Sequence, residues 1–197
     1  MSGEREHEFT LALAGEHGEL TDEMLDRFFE AGCDDALVSI SAGRLFVDFA
    51  RPGASMKDAL VKAIRDVRAA GFEVDRIATS ELVTKAEIAR RLGRTRQRVG
   101  QWVADEGGFS AFPPPACPII DGHSLWRWRE VAQWAYENNL AKRTAWEQAQ
   151  DVELINSILS YCSQKQESPV EFEGLVEALD GAAAYPSRPS VGEARRG

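Results

Sequence analysis

Residues 83–102 read VTKAEIARRLGRTRQRVGQW, and this stretch decides the fold of the middle of the chain. Thr84, followed three residues later by Glu87, has the spacing of a capping box and begins a first helix. Gly93 can adopt the left-handed backbone conformation that a tight turn between helices requires. Thr95 has the side chain of a second helix cap. The stretch therefore predicts two short helices joined by a tight turn.

The apolar residues of these two helices recur on one side of each helix. Small Ala89 lets the second helix cross the first closely. The inward positions are Ile88, Ala89 and Leu92 in the first helix and Val99, Trp102 and Val103 in the second. The same spacing directs a polar set outward from the second helix, namely Arg96, Gln97, Gly100 and Gln101.

Positive charge is concentrated around the same stretch. The whole chain has a formal net charge of −9. Residues 81–145 nevertheless carry 10 Lys and Arg against 7 Asp and Glu, whereas residues 1–80 and 146–197 are both acidic. Residues 84–103 contain six Lys and Arg residues and only one acidic residue. Such a basic island favours contact with phosphate groups.

A hairpin and another helix follow the basic stretch. Residues 119–120 and 125–126 are apolar and flank Asp121-Gly122, a dipeptide typical of two-residue hairpin turns. A helix is predicted over 127–138. Helix, turn, helix, small hairpin wing and further helix together resemble the winged helix-turn-helix domains of the MerR/excisionase (AlpA-like) superfamily, over residues 81–140.

This resemblance implies binding to double-stranded DNA, and side-chain chemistry then assigns the roles. Amide and guanidinium groups pair with base edges in the major groove, so the candidates for base readout are Arg96, Gln97 and Gln101. The candidates for phosphate contact are Lys85, Arg90, Arg91, Arg94, Thr95 and Arg98. The candidates for contact through the wing are His123, Ser124, Arg127 and Arg129.

Residues 1–79 predict an α+β domain with the element order β-α-β-β-α-β, which is typical of a ferredoxin-like sandwich. We expect it to dimerise or to hold a partner or ligand. Its fusion to a winged domain is similar in arrangement to actinobacterial DNA-binding proteins, some of them antitoxin-like. Strands are predicted over 8–14, 36–41, 45–49 and 72–77, and helices after Thr21 and Ser55.

The C-terminal part, 141–180, predicts helices. Apolar residues recur at helical spacing over 148–164. Ser168-Pro169 is a typical helix start, and the second helix is predicted to reach Leu179. Residues 181–197 lose all periodicity and predict a disordered tail.

Several classes of protein are not favoured. The sequence offers no nucleophile–base pair, metal-ligand spacing or phosphate-binding loop, so we expect no enzyme, no catalytic or metal site and no cofactor. His7 and His17 are expected at the surface, and the three cysteines are expected to be reduced. Without a signal-like or membrane-spanning segment, we expect a cytoplasmic protein without membrane contact.

The sequence thus predicts a sequence-specific DNA-binding protein, a transcriptional regulator acting as a homodimer. Two alternatives stay open. One is an antitoxin-like interaction module whose acidic N-terminal domain covers a protein partner and whose DNA binding serves autoregulation. The other is an excisionase-like factor that bends DNA.

Overall fold

The computed structural model describes residues 4–104, 111–120 and 123–182. The chain divides into two units, residues 1–160 and 161–197, which are described separately below. Both helices and strands are present, as predicted. In the described part of the chain, no helix is long and apolar enough to cross a membrane.

The first unit begins with a four-stranded antiparallel sheet. Its strands are β1 (Arg5–Leu13), β2 (Ala36–Ser41), β3 (Arg44–Gly53) and β4 (Val74–Ile77), in the spatial order β2-β3-β1-β4. Helix α1 (Asp22–Glu30) lies between β1 and β2 in the chain, and α2 (Met56–Ala69) between β3 and β4. The predicted order of elements over residues 1–79 is therefore confirmed.

Local signals fix where both helices begin. The hydroxyl of Thr21 accepts a hydrogen bond from the backbone N–H of Met24 at 3.3 Å, and that of Ser55 accepts from Asp58 at 3.1 Å. Each hydroxyl satisfies an N–H group that has no partner within its own helix. The predicted caps are confirmed.

One face of the sheet forms the first hydrophobic core. On the central strands Phe9 lies opposite Phe49 with stacked rings 5.4 Å apart, and Leu11 lies opposite Val47. Strand residues two apart point to the same face, so these side chains meet the helices together. The helix residues buried against them include Phe28, Leu60, Ala63 and Val67.

Strands β1 and β3 extend beyond their predicted bounds, and one buried polar residue lies in each extension. His7 was expected at the surface, but it is buried, with Nε2 3.3 Å from the carbonyl oxygen of Gly53. Arg51 is buried as well. Its guanidinium pairs with Asp35 and Asp66 and stacks on a Phe ring, which compensates the burial of its charge.

The last strand of this sheet is shorter than predicted. Strand β4 begins at Val74 and not at Phe72. Phe72 instead stacks on Phe28, with ring centroids 4.5 Å apart. Phe72 thus packs on α1 and does not continue β4 toward the N-terminus.

A second core lies under a three-stranded antiparallel sheet in the order β5-β7-β6. The strands are β5 (Leu82–Val83), β6 (Cys117–Ile120) and β7 (His123–Arg127), and the helices are α3 (Lys85–Arg91), α4 (Arg96–Val103) and α5 (Trp128–Glu137). Strand β5 was not predicted, since two residues carry too little pattern. The predicted turn Asp121-Gly122 lies outside the described residues.

Helix α6 (Arg143–Glu167) begins five residues before its predicted start. An Arg143–Glu147 ion pair at 2.8 Å and stacking of Trp146 on Tyr136 support the additional turn. Within the first unit this helix buries Val152, Ile155 and Leu159 in the first core. It is therefore part of the packing of the N-terminal sheet.

Asn156 on α6 completes the outer edge of β4. Its amide oxygen accepts from the N–H of Ile77 at 2.7 Å, and its amide nitrogen donates to the carbonyl of Ile77 at 3.3 Å and to Glu81 at 2.7 Å. The side chain thus satisfies the backbone groups of Ile77 in the way that a neighbouring strand would.

The second unit contains the end of α6 and helix α7 (Pro169–Ala182). Tyr161 meets Phe172 edge to face, with ring centroids 4.9 Å apart, and Lys165 lies 3.6 Å from Glu173. The predicted tail beyond Ala182 lies outside the described residues. The domain boundaries proposed from the sequence stay predictions.

Candidate nucleic-acid interface

Helices α3 and α4 begin at the two predicted threonines. The hydroxyl of Thr84 accepts from the N–H of Glu87 at 3.3 Å, and that of Thr95 accepts from Arg98 at 3.2 Å. Between the helices Gly93 has a φ of +60°, and the N–H of Arg94 closes the turn by donating to Ala89 at 2.8 Å. A side chain at Gly93 would strain this turn.

The buried sides of the two helices fix how α4 is rotated. Ile88 of α3 and Val99 of α4 are fully buried, and Trp102 is nearly so. The ring of Trp102 packs against Trp134 of α5 with centroids 5.2 Å apart. Because these residues hold one side of α4 in the core, the opposite side faces solvent.

The solvent side of α4 presents the predicted polar set. Residues 94–98 are all exposed, and they include two of the three candidates for base readout, Arg96 and Gln97. Gly100 lies in the middle of α4, where a Cβ atom would meet no other atom within 4 Å. The first turn of α4 thus offers cations, an amide and a hydroxyl on one surface.

Gln101, the third candidate for base readout, has an intrahelical partner. The guanidinium of Arg98 donates to the Gln101 amide oxygen at 3.0 Å and also lies 5.8 Å from the ring centroid of Trp102. This bond orients the Gln101 amide and uses one of the two lone pairs of its oxygen. The candidate phosphate contact Arg98 and the candidate reader Gln101 are therefore coupled.

The cations predicted on α3 divide into two groups. Arg90 is 72% exposed, and it pairs with Glu87 at 2.7 Å. Arg91 is only 13% exposed, since it pairs with Glu87, donates to the carbonyl of Ser80 at 3.0 Å and stacks on Trp128. Arg90 is accessible to a phosphate, whereas Arg91 is used within the fold.

The two arginines also determine the protonation of Glu87. Hydrogen bonds from Arg90 and Arg91 lower the pKa of this carboxyl to about 2. Glu87 therefore stays ionised at neutral pH and offsets part of the positive charge of α3. Lys85, at the start of the same helix, is half-buried with Nζ 5.9 Å from the ring centroid of Trp126.

The candidates on the wing are not brought together at its tip. Ser124 is half-buried in β7, and the side chain of His123 lies outside the described residues. Arg127 and Arg129 approach one carboxylate on α6, Glu153, at 3.6 and 3.2 Å. These two arginines therefore face α6. A local sequence pattern cannot reveal this partner, which is more than 20 residues away in the chain.

The accessible candidates thus concentrate on one surface, which we call the α4 surface. It comprises Arg90, Arg94, Thr95, Arg96, Gln97, Arg98 and Gln101. No family model, no curated protein and no solved structure matches this chain. The α4 surface must therefore be interpreted from its own chemistry.

The exposed groups of the α4 surface are guanidinium, amide and hydroxyl groups. Among the described residues, no group of three or more His, Cys, Asp and Glu side chains could hold a metal ion. Burial raises the pKa of the Cys33 thiol to about 11, so this thiol is a poor nucleophile at neutral pH. Guanidinium groups, in contrast, match phosphate and guanine geometry.

In the described part of the chain, a cavity of about 530 Å³ has no residue of the α4 surface in its lining. It is bounded by the N-terminal sheet, α6 and the three-stranded sheet. Its apolar lining includes Phe9, Trp128 and Val152, and the ion-paired Arg129 and Glu153 lie at its wall. The cavity has the size of a small-molecule pocket.

Proposed function

We propose that this chain is a sequence-specific double-stranded-DNA-binding protein, a transcriptional regulator that works as a homodimer. In this proposal residues 81–140 form a winged helix-turn-helix of the MerR/excisionase-like kind. Residues 1–79 form a ferredoxin-like sandwich, to which the strand order β2-β3-β1-β4 and the helices α1 and α2 lend support.

One observation carries the proposal. The buried Val99 and Trp102 fix the rotation of α4, and residues 94–98, which lead into the helix and begin it, are all exposed. A helix end of this kind can enter the major groove with its N-terminal residues against base edges.

The exposed side chains divide by what they can contact. Arg96 can form a bidentate pair with guanine, and Gln97 with adenine. Arg94, Thr95, Arg98 and Arg90 supply phosphate contacts, which raise affinity without reading sequence. A single domain of this size covers few base pairs, so two copies on a two-fold symmetric site would supply the usual affinity.

The test is selection of bound duplexes from a random DNA pool by the purified protein, at two salt concentrations. We expect a compact two-fold symmetric motif that persists at the higher salt. The variants R96A and Q97A should relax one position of each half-site and lower affinity by about tenfold or more.

The matched control is R143A, which removes one exposed cation outside the α4 surface. It should leave the selected motif and its affinity unchanged. Absence of enrichment, or an equal effect of R96A and R143A, would contradict the proposal and favour a protein partner instead.

A further inference from the structure

The cavity of about 530 Å³ lies within the first unit, and residues from both sheets and from α6 form its walls. Phe9 comes from β1, Leu82 from β5, Trp128 from the start of α5 and Val152 from α6. Small-molecule pockets have volumes of about 300–1,000 Å³. Because folded proteins pack their interiors closely, a space this large is not an ordinary packing gap.

Apolar side chains in the wall of this cavity are incompletely covered. Leu82 is 39% exposed, and Trp128 is half-buried. The ring of Trp128 is held in place by the guanidinium of Arg91, which stacks on it. An apolar group in the cavity would remove surface of Leu82 and Trp128 from water, which is favourable. The wall therefore favours a ligand with an apolar body.

Two arginines in the same wall share one carboxylate. Arg127 and Arg129 approach Glu153 at 3.6 and 3.2 Å, and the first distance is longer than a hydrogen bond. Two guanidinium groups carry about ten N–H donors, whereas one carboxylate offers about four acceptor sites. The side chains of both arginines are also about half exposed. Arg127 and Arg129 can therefore bind a second acceptor group.

The other charged residues of the wall have partners or point elsewhere. Arg91 donates to a carboxylate on its own helix and to a backbone carbonyl. The carboxylate of Glu81 accepts from the amide of Asn156 at 2.7 Å. Glu8 is exposed next to buried Phe9 on β1, and successive strand residues point to opposite faces of the sheet. The side chain of Glu8 therefore points away from the face on which Phe9 is buried.

The remaining charged cluster specifies the charge of the ligand. Arg127, Arg129 and Glu153 together carry one net positive charge. A single carboxylate balances this charge, whereas a phosphate monoester carries a charge of about −1.5 to −2 at neutral pH. Carboxylates also form bidentate hydrogen bonds with guanidinium groups. The cluster therefore favours an organic acid over a phosphate ester.

We propose that this cavity binds a small organic acid with one carboxylate and an apolar body. The carboxylate of the ligand pairs with Arg127 and Arg129, which it shares with Glu153. The apolar body lies against Leu82 and Trp128. The site uses no residue of the α4 surface, so it is a second binding site and does not depend on the proposed DNA binding.

The first test is isothermal titration calorimetry of the full chain without DNA. The probes are 2-naphthoate and octanoate, which share one carboxylate and differ in the apolar body. We expect at least one of them to bind with one-to-one stoichiometry and a Kd of about 1 mM or below. The neutral amides of both acids, and 2-naphthyl phosphate, should bind about tenfold more weakly or not at all. Absence of binding by both acids, or equal affinity for acid and amide, or tighter binding of the phosphate ester overturns the proposal.

The second test uses variants of the charged cluster. R127Q and R129Q should each weaken binding of the acid by about tenfold, since each removes a charged hydrogen-bond donor. E153Q should strengthen binding, because it removes the carboxylate that shares both arginines with the ligand. R143Q is the matched control, since Arg143 is an exposed cation of α6 that does not line the cavity, and it should leave the affinity unchanged. An ion pair that only maintained the fold would make R129Q and E153Q act in the same direction, and this result overturns the proposal.

The third test fills the cavity. Ala145 lies in its wall and is half-buried, so A145F should place a ring in the cavity and abolish binding of the acid. Circular dichroism and urea unfolding show whether the variant folds, and L82W serves the same purpose at a more exposed position of the wall. Unchanged affinity in a folded variant overturns the location of the site. Because none of these measurements contains DNA, a failure here is distinct from a failure of DNA binding.

Discussion

The guanidinium carbon of Arg91 lies 4.9 Å from the ring centroid of Trp128. This contact joins the end of α3 to the beginning of α5, although the sequence assigns Arg91 to a DNA phosphate. Its neighbour Arg90 has similar local partners but stays exposed. Arg91 is therefore a structural residue, whereas Arg90 stays a candidate contact residue.

We expect R91A to lower the free energy of unfolding by about 1–3 kcal/mol, since it removes the donor to the Ser80 carbonyl, one of the two arginine partners of Glu87 and the stacking on Trp128. R90A should change stability little and reduce the slope of log affinity against log salt by about 1. Urea unfolding and DNA titration at several salt concentrations distinguish the two. Equal stability losses would contradict the assignment.

The low pKa of Glu87 predicts a pH dependence of stability. A carboxyl whose pKa falls on folding stabilises the fold above its unfolded pKa of about 4.3, and this contribution is lost as pH falls through the folded value. With a folded pKa of about 2, the advantage of wild type over E87Q should be constant above pH 5 and shrink toward pH 2. Carboxyl NMR titration checks the pKa directly, and R91A should raise it. An unshifted pKa would show that the ion pairs do not persist in solution.

Two glycines of the α4 region should respond in opposite directions. Gly100 lies inside α4 with open space around it, so G100A should raise stability by about 0.5–1 kcal/mol. Gly93 has a φ of +60°, so G93A should lower stability by about 1–2 kcal/mol. Thermal unfolding of both variants measures this contrast. Stabilisation by G93A would contradict the turn geometry.

Asn156 should contribute more to stability than Ser157, the next residue on α6. N156A leaves the N–H and carbonyl groups of Ile77 without their partner, and we expect a loss of about 1–3 kcal/mol. S157A, at an exposed position next to it, should change stability by less than about 0.5 kcal/mol. Chemical denaturation checks both, and amide exchange at Ile77 should accelerate only in N156A.

The sequence was sufficient to predict those features of the fold that depend on residues close together in the chain. Thr84 and Thr95 each cap a helix through an atom three residues away, and Gly93 supplies a backbone conformation by itself. The strand pattern failed at His7 and Arg51 because both are polar but buried. Arg51 is compensated by Asp35 and Asp66, and no short window of sequence contains all three residues.

The candidate site divides in the same way. The exposure of Arg96 and Gln97 follows from the period of α4, which a single helix reveals. The role of Arg91 depends on Trp128, and that of Arg127 depends on Glu153. In both pairs only the tertiary fold brings the two residues together. Charge alone could not separate arginines available to a ligand from arginines used by the protein.

One turn of α6 contributes to both halves of the first unit. Val152 and Ile155 pack in the core of the N-terminal sheet, Glu153 pairs with Arg127 and Arg129, and Asn156 bridges Ile77 and Glu81. The two halves consequently share part of their stabilisation, and heating should melt residues 4–160 in a single cooperative transition. A fragment that ends at residue 140 would lack Glu153 and would leave Arg127 and Arg129 without this carboxylate. The two unpaired guanidinium groups would strengthen non-specific binding to polyanions.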